Sequence, residues 1–113
     1  MHELSVAHSI ISSLEKFREK EGFKILRGVN IEIGRLAGVE IEALRFALQS
    51  IKGESILKEA EINLIPVGMK ITCNGCGTVT EVENFIFQCS SCGGNDIEIT
   101  GGDTLEITEL NVD

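Results

Sequence analysis

Tryptophan and tyrosine are absent from this chain, proline occurs once, and five phenylalanines are the only aromatic residues. The core must therefore be built from Ile, Leu and Val, with the phenylalanines as supplements. No stretch approaches the roughly 18 consecutive apolar residues that a membrane-spanning helix needs. No basic segment leads into an apolar run as a secretory signal would. The expectation is a cytoplasmic protein without a membrane partner. Positive charge is scarce: ten Lys and Arg stand against eighteen Asp and Glu, a net charge of −8 at pH 7. Such a chain is repelled by phosphate backbones and anionic lipid, and it suits cationic ligands or a basic partner surface. Histidine is limited to His2 and His8. No Ser-His-Asp grouping, phosphate-binding Gly-rich loop or spare Cys nucleophile is apparent, so the chain is poorly equipped to be an enzyme.

What is present is a pair of Cys-x-x-Cys-Gly knuckles, Cys73-Asn74-Gly75-Cys76-Gly77 and Cys89-Ser90-Ser91-Cys92-Gly93, which use all four cysteines. Two thiolates separated by two residues can grip one ion from a single tight turn, and the following glycine lets the chain take positive φ. Paired knuckles without a secretory signal favour metal over disulfides. Zinc suits four thiolates in a tetrahedral pocket. Iron in a small tetrathiolate redox protein is the alternative, and the visible spectrum separates the two. A 113-residue chain has a thin core margin, which a metal staple relieves. Many metal ribbons read nucleic acid, but residues 70 to 102 hold one basic residue, Lys70, against Glu81, Glu83, Asp96 and Glu98. No Arg is available there to clamp phosphate or read a base, so no nucleic-acid partner is expected. Phe85 and Phe87 are spaced as one face of a ribbon strand and read as packing residues.

The periodicities predict the rest. Val6, Ile10, Leu14 and Phe17, widened by Ile11, predict an amphipathic helix over 4–21, stopped at Gly22. Val29, Ile31 and Ile33 alternate with Asn30 and Glu32 as a half-buried strand over 28–34. A second helix over 40–52 carries Ile41, Leu44, Leu48 and Ile51 on one face, and Gly53 ends it. An extended stretch over 60–73 alternates Ala60, Ile62 and Leu64 with Glu61 and Asn63. Within it Pro66 belongs at an edge or bulge, because it cannot donate to a ladder. Short ribbon strands lie between the knuckles, and a closing strand carries Leu105, Ile107 and Leu110. The expected fold class is α+β: two helices packed on a small three-stranded sheet, with an inserted four-cysteine zinc-ribbon domain. The expected domains are 1–69 plus 103–113 for the α/β body and 70–102 for the ribbon.

The terminus offers a second and different metal chemistry. A free terminal amine at Met1, the amide nitrogen of His2 and its imidazole Nδ1 can close adjacent, nearly coplanar chelate rings. Glu3 can add a backbone nitrogen or its carboxylate. Planar nitrogen-rich geometry suits Ni(II) or Cu(II) and suits zinc badly. The bulk of His2 is expected to protect Met1 from removal. The competing reading is a frayed terminal histidine with no role. A hydrolytic zinc helix would need His at i and i+4. Position 6 is Val6, and His8 lies about 240° round the helix from His2, so that reading fails. His8 reads as a helix-surface residue. One closed, soft site and one open, nitrogen-rich site are together the profile of a metal carrier.

These residues resemble the HypA/HybF family of hydrogenase nickel-incorporation accessory proteins over essentially the full length. The match runs through Met1-His2-Glu3-Leu4-Ser5, then Ile31-Glu32-Ile33-Gly34-Arg35-Leu36 and Gly38-Val39-Glu40. It continues through Glu42-Ala43-Leu44-Arg45-Phe46-Ala47 and the two knuckles. The resemblance implies a nickel-binding α/β domain joined to a zinc ribbon. It implies transient Ni(II) at Met1, His2 and Glu3, and structural Zn(II) at Cys73, Cys76, Cys89 and Cys92. It also implies action with a HypB-type GTPase accessory protein to load nickel into the large subunit of [NiFe]-hydrogenase, with urease as a further client in some relatives. Some relatives carry an extra ribbon histidine that helps bind nickel, and this chain has none. A homodimer stays open as an assembly, as does the alternative of a non-catalytic zinc-ribbon adaptor.

Overall fold

A computed structural model of the protein describes residues 2–82 and 88–113. Met1 lies outside the described residues, and so do Glu83, Phe85 and Phe87. The chain runs α1 (His2–Glu21), β1 (Leu26–Gly34), α2 (Ile41–Ile51), a 3-10 turn (Lys52–Glu54), β2 (Glu61–Val67), β3 (Met69–Cys73), β4 (Val79–Val82), β5 (Ile97–Gly101) and β6 (Leu105–Val112). The strands form two three-stranded sheets, in the orders β2-β1-β6 and β4-β3-β5. The chain divides into two compact units. One holds residues 1–32, 39–65 and 106–113; the other holds 33–38 and 66–105. Two helices with small sheets give the α+β class.

In the first unit α1 and α2 pack on each other. Of the predicted apolar positions, Ile10 and Leu14 of α1, Leu44 and Leu48 of α2, and Val29 and Ile31 of β1 are buried, joined by Ala7, Ala47 and Leu26, while Val6, Ile11, Ile41 and Ile51 are half-buried. Burial of each Leu, Ile or Val side chain is worth roughly 1.5–3 kcal/mol, so the unit is held by aliphatic packing, as the missing rings require. Phe17 departs from its predicted place in the stripe, since it is 46% exposed. α1 ends as expected: Gly22 takes φ 76° and its N–H donates to the Arg18 carbonyl at 2.8 Å. Glu40 stands outside α2 as its N-cap, its carboxylate accepting the Ala43 N–H at 2.9 Å. That bond satisfies one of the orphan donors of the first turn.

The stretch expected to be continuous over 60–73 is broken at Gly68 into two strands of different sheets. Pro66 sits on β2, an edge strand, where its missing N–H costs nothing. The break belongs to the second unit, where three glycine backbones meet. A Cβ on Gly34 would run into the backbone of Gly102, and one on Gly102 would run into the Gly68 carbonyl and Met69 Cα. Gly102 also adopts φ 79°. The approach is fixed by Gly34 N–H to the Thr104 carbonyl (2.8 Å), Leu36 N–H to the Gly102 carbonyl (2.8 Å) and Arg35 N–H to the Val67 carbonyl (2.9 Å). Gly102→Ala therefore combines backbone strain with overlap. It is expected to destabilise the protein by roughly 2–4 kcal/mol, whereas Gly53→Ala, which meets nothing within 4 Å, should be near neutral. Urea midpoints of the two variants check this.

β3 is the centre of the second unit's sheet. It pairs antiparallel with β4 (Ile71 opposite Thr80) and with β5 (Cys73 opposite Ile97), with an irregularity between Lys70 and Ile71. Met69, Ile71 and Cys73 turn inward, so the strand delivers the first cysteine directly from a packed face into the first knuckle. Among the described residues no helix is long and apolar enough to cross a membrane.

Candidate metal centres

The two knuckles are built alike. In the first, Gly77 N–H donates to the Cys73 carbonyl (2.8 Å) and Cys73 N–H to the Thr78 carbonyl (3.0 Å). In the second, Gly93 N–H donates to the Cys89 carbonyl and Cys89 N–H to the Gly94 carbonyl, both at 2.9 Å. Gly77 and Gly93 close these turns with φ 78° and 76°, a conformation that a Cβ would penalise. Asn74 ties the first knuckle to the segment after the second: its N–H donates to the Asp96 carbonyl (2.8 Å) and its side-chain amide to the Asp96 carboxylate (3.2 Å).

The result brings the four Sγ atoms of Cys73, Cys76, Cys89 and Cys92 within 4.8 Å of one another. The Cys73–Cys92 and Cys76–Cys89 sulfurs are each 3.6 Å apart. A tetrahedral ion with metal–sulfur bonds of about 2.3 Å would set its sulfurs about 3.8 Å apart, whereas a disulfide would set them at about 2.05 Å. The cluster thus has the dimensions of a tetrathiolate cage. Its electrostatics point the same way. The Thr78 hydroxyl, 3.2 Å away, together with the Thr78 main chain and the Cys89 thiol, lowers the Cys76 pKa to about 6. The N–H groups of Cys92 and Ser91, at 3.5 and 3.4 Å from Cys89 Sγ, lower the Cys89 pKa. At Cys92 the Gly94 N–H pulls downward, but the neighbouring thiols of Cys73, Cys89 and Cys76 outweigh it and push the pKa up to about 11. Some thiolates are prepared, yet the cluster resists carrying its full negative charge alone. A divalent cation removes that conflict.

At the other site, α1 begins at His2 and not at residue 4. The first four N–H groups of a helix have no intrahelical acceptor. The amide nitrogens of His2 and Glu3 therefore hold no bond of the helical ladder that a metal would have to break. His2 Nδ1 lies 3.4 Å from Glu3 Oε2; the His2 side chain is 60% exposed and that of Glu3 18%. Glu3 is anchored from behind by a residue whose role here the sequence does not announce: Glu40 N–H donates to Glu3 Oε2 at 3.3 Å. That bond, then Glu3's own main-chain N–H and the His2 side chain, lower the Glu3 pKa. A link across 37 residues has no local signature. His8 stands exposed on α1, and no metal-ligating cluster among the described residues includes it. Met1, the expected amine donor, lies outside the described residues.

A helix-and-sheet unit carrying an exposed His-Glu terminus, joined to a unit built round four converging thiols, defines a small metal-handling protein. The sequence matches the HypA family, described as hydrogenase/urease nickel incorporation metallochaperones, over residues 1–112. The chain belongs to the HypA family, the nickel-incorporation metallochaperones of hydrogenase maturation. It is 36% identical over 112 residues to the hydrogenase maturation factor HypA of Rhodobacter capsulatus, covering 99% of each chain. It is also 36% identical over 116 residues to that of Syntrophus aciditrophicus, covering all of each. Its fold is similar to the solution structure of the Ni metallochaperone HypA from Helicobacter pylori, with TM-score 0.70, 21% identity and coverage of 97% and 96% of the two chains. A further HypA solution structure matches with TM-score 0.72, 23% identity and coverage of 99% and 96%.

Proposed function

We propose that this protein takes up Ni(II) at its N-terminus, through the Met1 amine, the His2 nitrogens and Glu3, and passes it on during maturation of [NiFe]-hydrogenase. Zn(II) sits at Cys73, Cys76, Cys89 and Cys92 as a structural ion. The observation that carries the reading is the pairing of two unlike donor sets: a closed thiol cage, and an exposed helix start whose amides have no helical acceptor. Four protein thiolates leave zinc no open position, so that ion holds the fold and takes no part in delivery. The terminus has solvent on one side and can exchange its ion. The body of 1–69 plus 103–113 is then the nickel-binding part, and 70–102 the zinc ribbon. The protein acts as a carrier and not as an enzyme, in the cytoplasm, with a HypB-type GTPase and the hydrogenase large subunit as partners. Urease is a further client in this reading. The family membership supports these assignments.

Release follows from proton competition. Nickel competes with protons for the His2 imidazole and the Met1 amine, so its binding releases protons and weakens as pH falls. Glu3 is different. Its pKa is lowered from 4.5, first by the Glu40 N–H, so its carboxylate stays ionised and its contribution is lost only below that value as pH falls. Nickel lost at higher pH than that is therefore lost through protons competing for the nitrogens. The thiolate-bound zinc should stay through the same range. Parallel measurement of both metals over a pH series tests the reading; simultaneous release, or zinc leaving before nickel, would contradict it.

A further inference from the structure

β6 is an edge strand of the β2-β1-β6 sheet. Among the described residues, no strand pairs with its outer side. A strand edge of this kind is a template for another extended chain. Beside it lies an apolar groove of about 360 Å3, lined by Ser13, Leu14 and Phe17 of α1 and by residues 107–110 of β6, Glu109 among them. The groove belongs to one compact unit. Phe17, the stripe residue left 46% exposed, lines this groove.

Strand edge and groove together form the parts of a β-augmentation site. The edge offers main-chain hydrogen bonds, and the groove accepts one apolar side chain of the incoming strand. Charge selects the occupant. The lining residue Glu109 is exposed and has no ion-pair partner among the described residues, and the chain carries −8. A second copy paired through this edge would bring like-charged strands together, which is destabilising. We propose that β6 docks an extended segment of a partner protein in which apolar residues alternate with Lys or Arg, one apolar side chain filling the groove and a cation facing Glu109. The surface needs no metal, so its test is independent of the nickel reading.

The probe is a blocked peptide of about ten residues, long enough to span one strand, alternating Val or Phe with Lys and Arg. A control carries Glu at the basic positions. Both are titrated into full-length zinc-loaded protein and followed by amide shifts and exchange. Binding of the basic peptide should slow exchange across 106–112. Phe17→Ala should weaken it by about fivefold, the loss expected for an anchor wall. Glu109→Lys should weaken it by roughly tenfold. Both substitutions fall on exposed side chains, so folding is retained. No change at β6 up to millimolar peptide, equal binding of the acidic control, insensitivity to both substitutions, or a free protein already dimeric through this edge would each overturn the proposal.

Discussion

Replacing Cys89 by Ala is expected to unfold the second compact unit while the first persists. Cys89 is buried, accepts two main-chain N–H groups and lies 3.6 Å from Cys76 Sγ. Its loss leaves three thiolates, an open coordination position and a cavity. Metal binding at small structural zinc sites is worth on the order of 10–16 kcal/mol, as much as the whole stability of an ordinary domain. Among the described residues the unit's buried apolar side chains are Ile33, Met69 and Ile71, with Cys73 and Cys89. The first unit keeps Leu14, Leu26, Leu44, Leu48 and Leu57, whose packing owes nothing to the thiols. Amide exchange should therefore show protection lost over β3, β4 and β5 and retained in α1 and α2. Unchanged protection of β3 in the metal-free variant would refute the assignment.

Replacing His2 by Ala is expected to lower nickel affinity by more than about 100-fold, with the urea midpoint unmoved. Losing a residue that merely orients a metal ligand typically costs about 10–100-fold, and His2 is proposed to supply donors itself. Its side chain is 60% exposed, and among the described residues its polar contact is a 3.4 Å approach to Glu3, so the fold does not depend on it. Glu3 sits differently. Held by the Glu40 N–H, it should keep its place in the variant. Competition titration with a chromophoric chelator measures the affinity, and zinc content measured alongside shows whether the ribbon stayed intact.

The parts of this structure that were legible in the sequence are those written in local pattern. Val29, Ile31 and Ile33 alternate and each is buried; Gly22 stops α1; Pro66 sits on an edge strand; and the Cys-Gly spacing anticipates turns closed at Gly77 and Gly93. What the sequence hid is non-local. The break at Gly68 is set by a backbone contact with Gly102, itself in contact with Gly34, and the three glycines lie far apart along the chain. Glu40 read as the start of a helix, yet its main-chain N–H serves Glu3 and its carboxylate serves Ala43. Phe17 has helical spacing with Ile10 and Leu14, but the groove beside β6 leaves its ring half open. Periodicity says which face a residue lies on and not what meets it there. The same holds for the sites: the thiol cage is spelled out by spacing, while the terminus depends on α1 beginning at His2.

The most direct measurement compares Ni(II) binding by the protein with its native terminus and by the same protein with a short Gly-Ser extension ahead of Met1, both zinc-loaded. The extension blocks the terminal amine and leaves His2, Glu3 and all four cysteines in place. Loss of nickel binding by more than about 100-fold, with zinc at one equivalent in both proteins, is the predicted result. Equal nickel affinity in the two, or nickel bound only as zinc leaves, would contradict an N-terminal carrier site separate from the thiol cage.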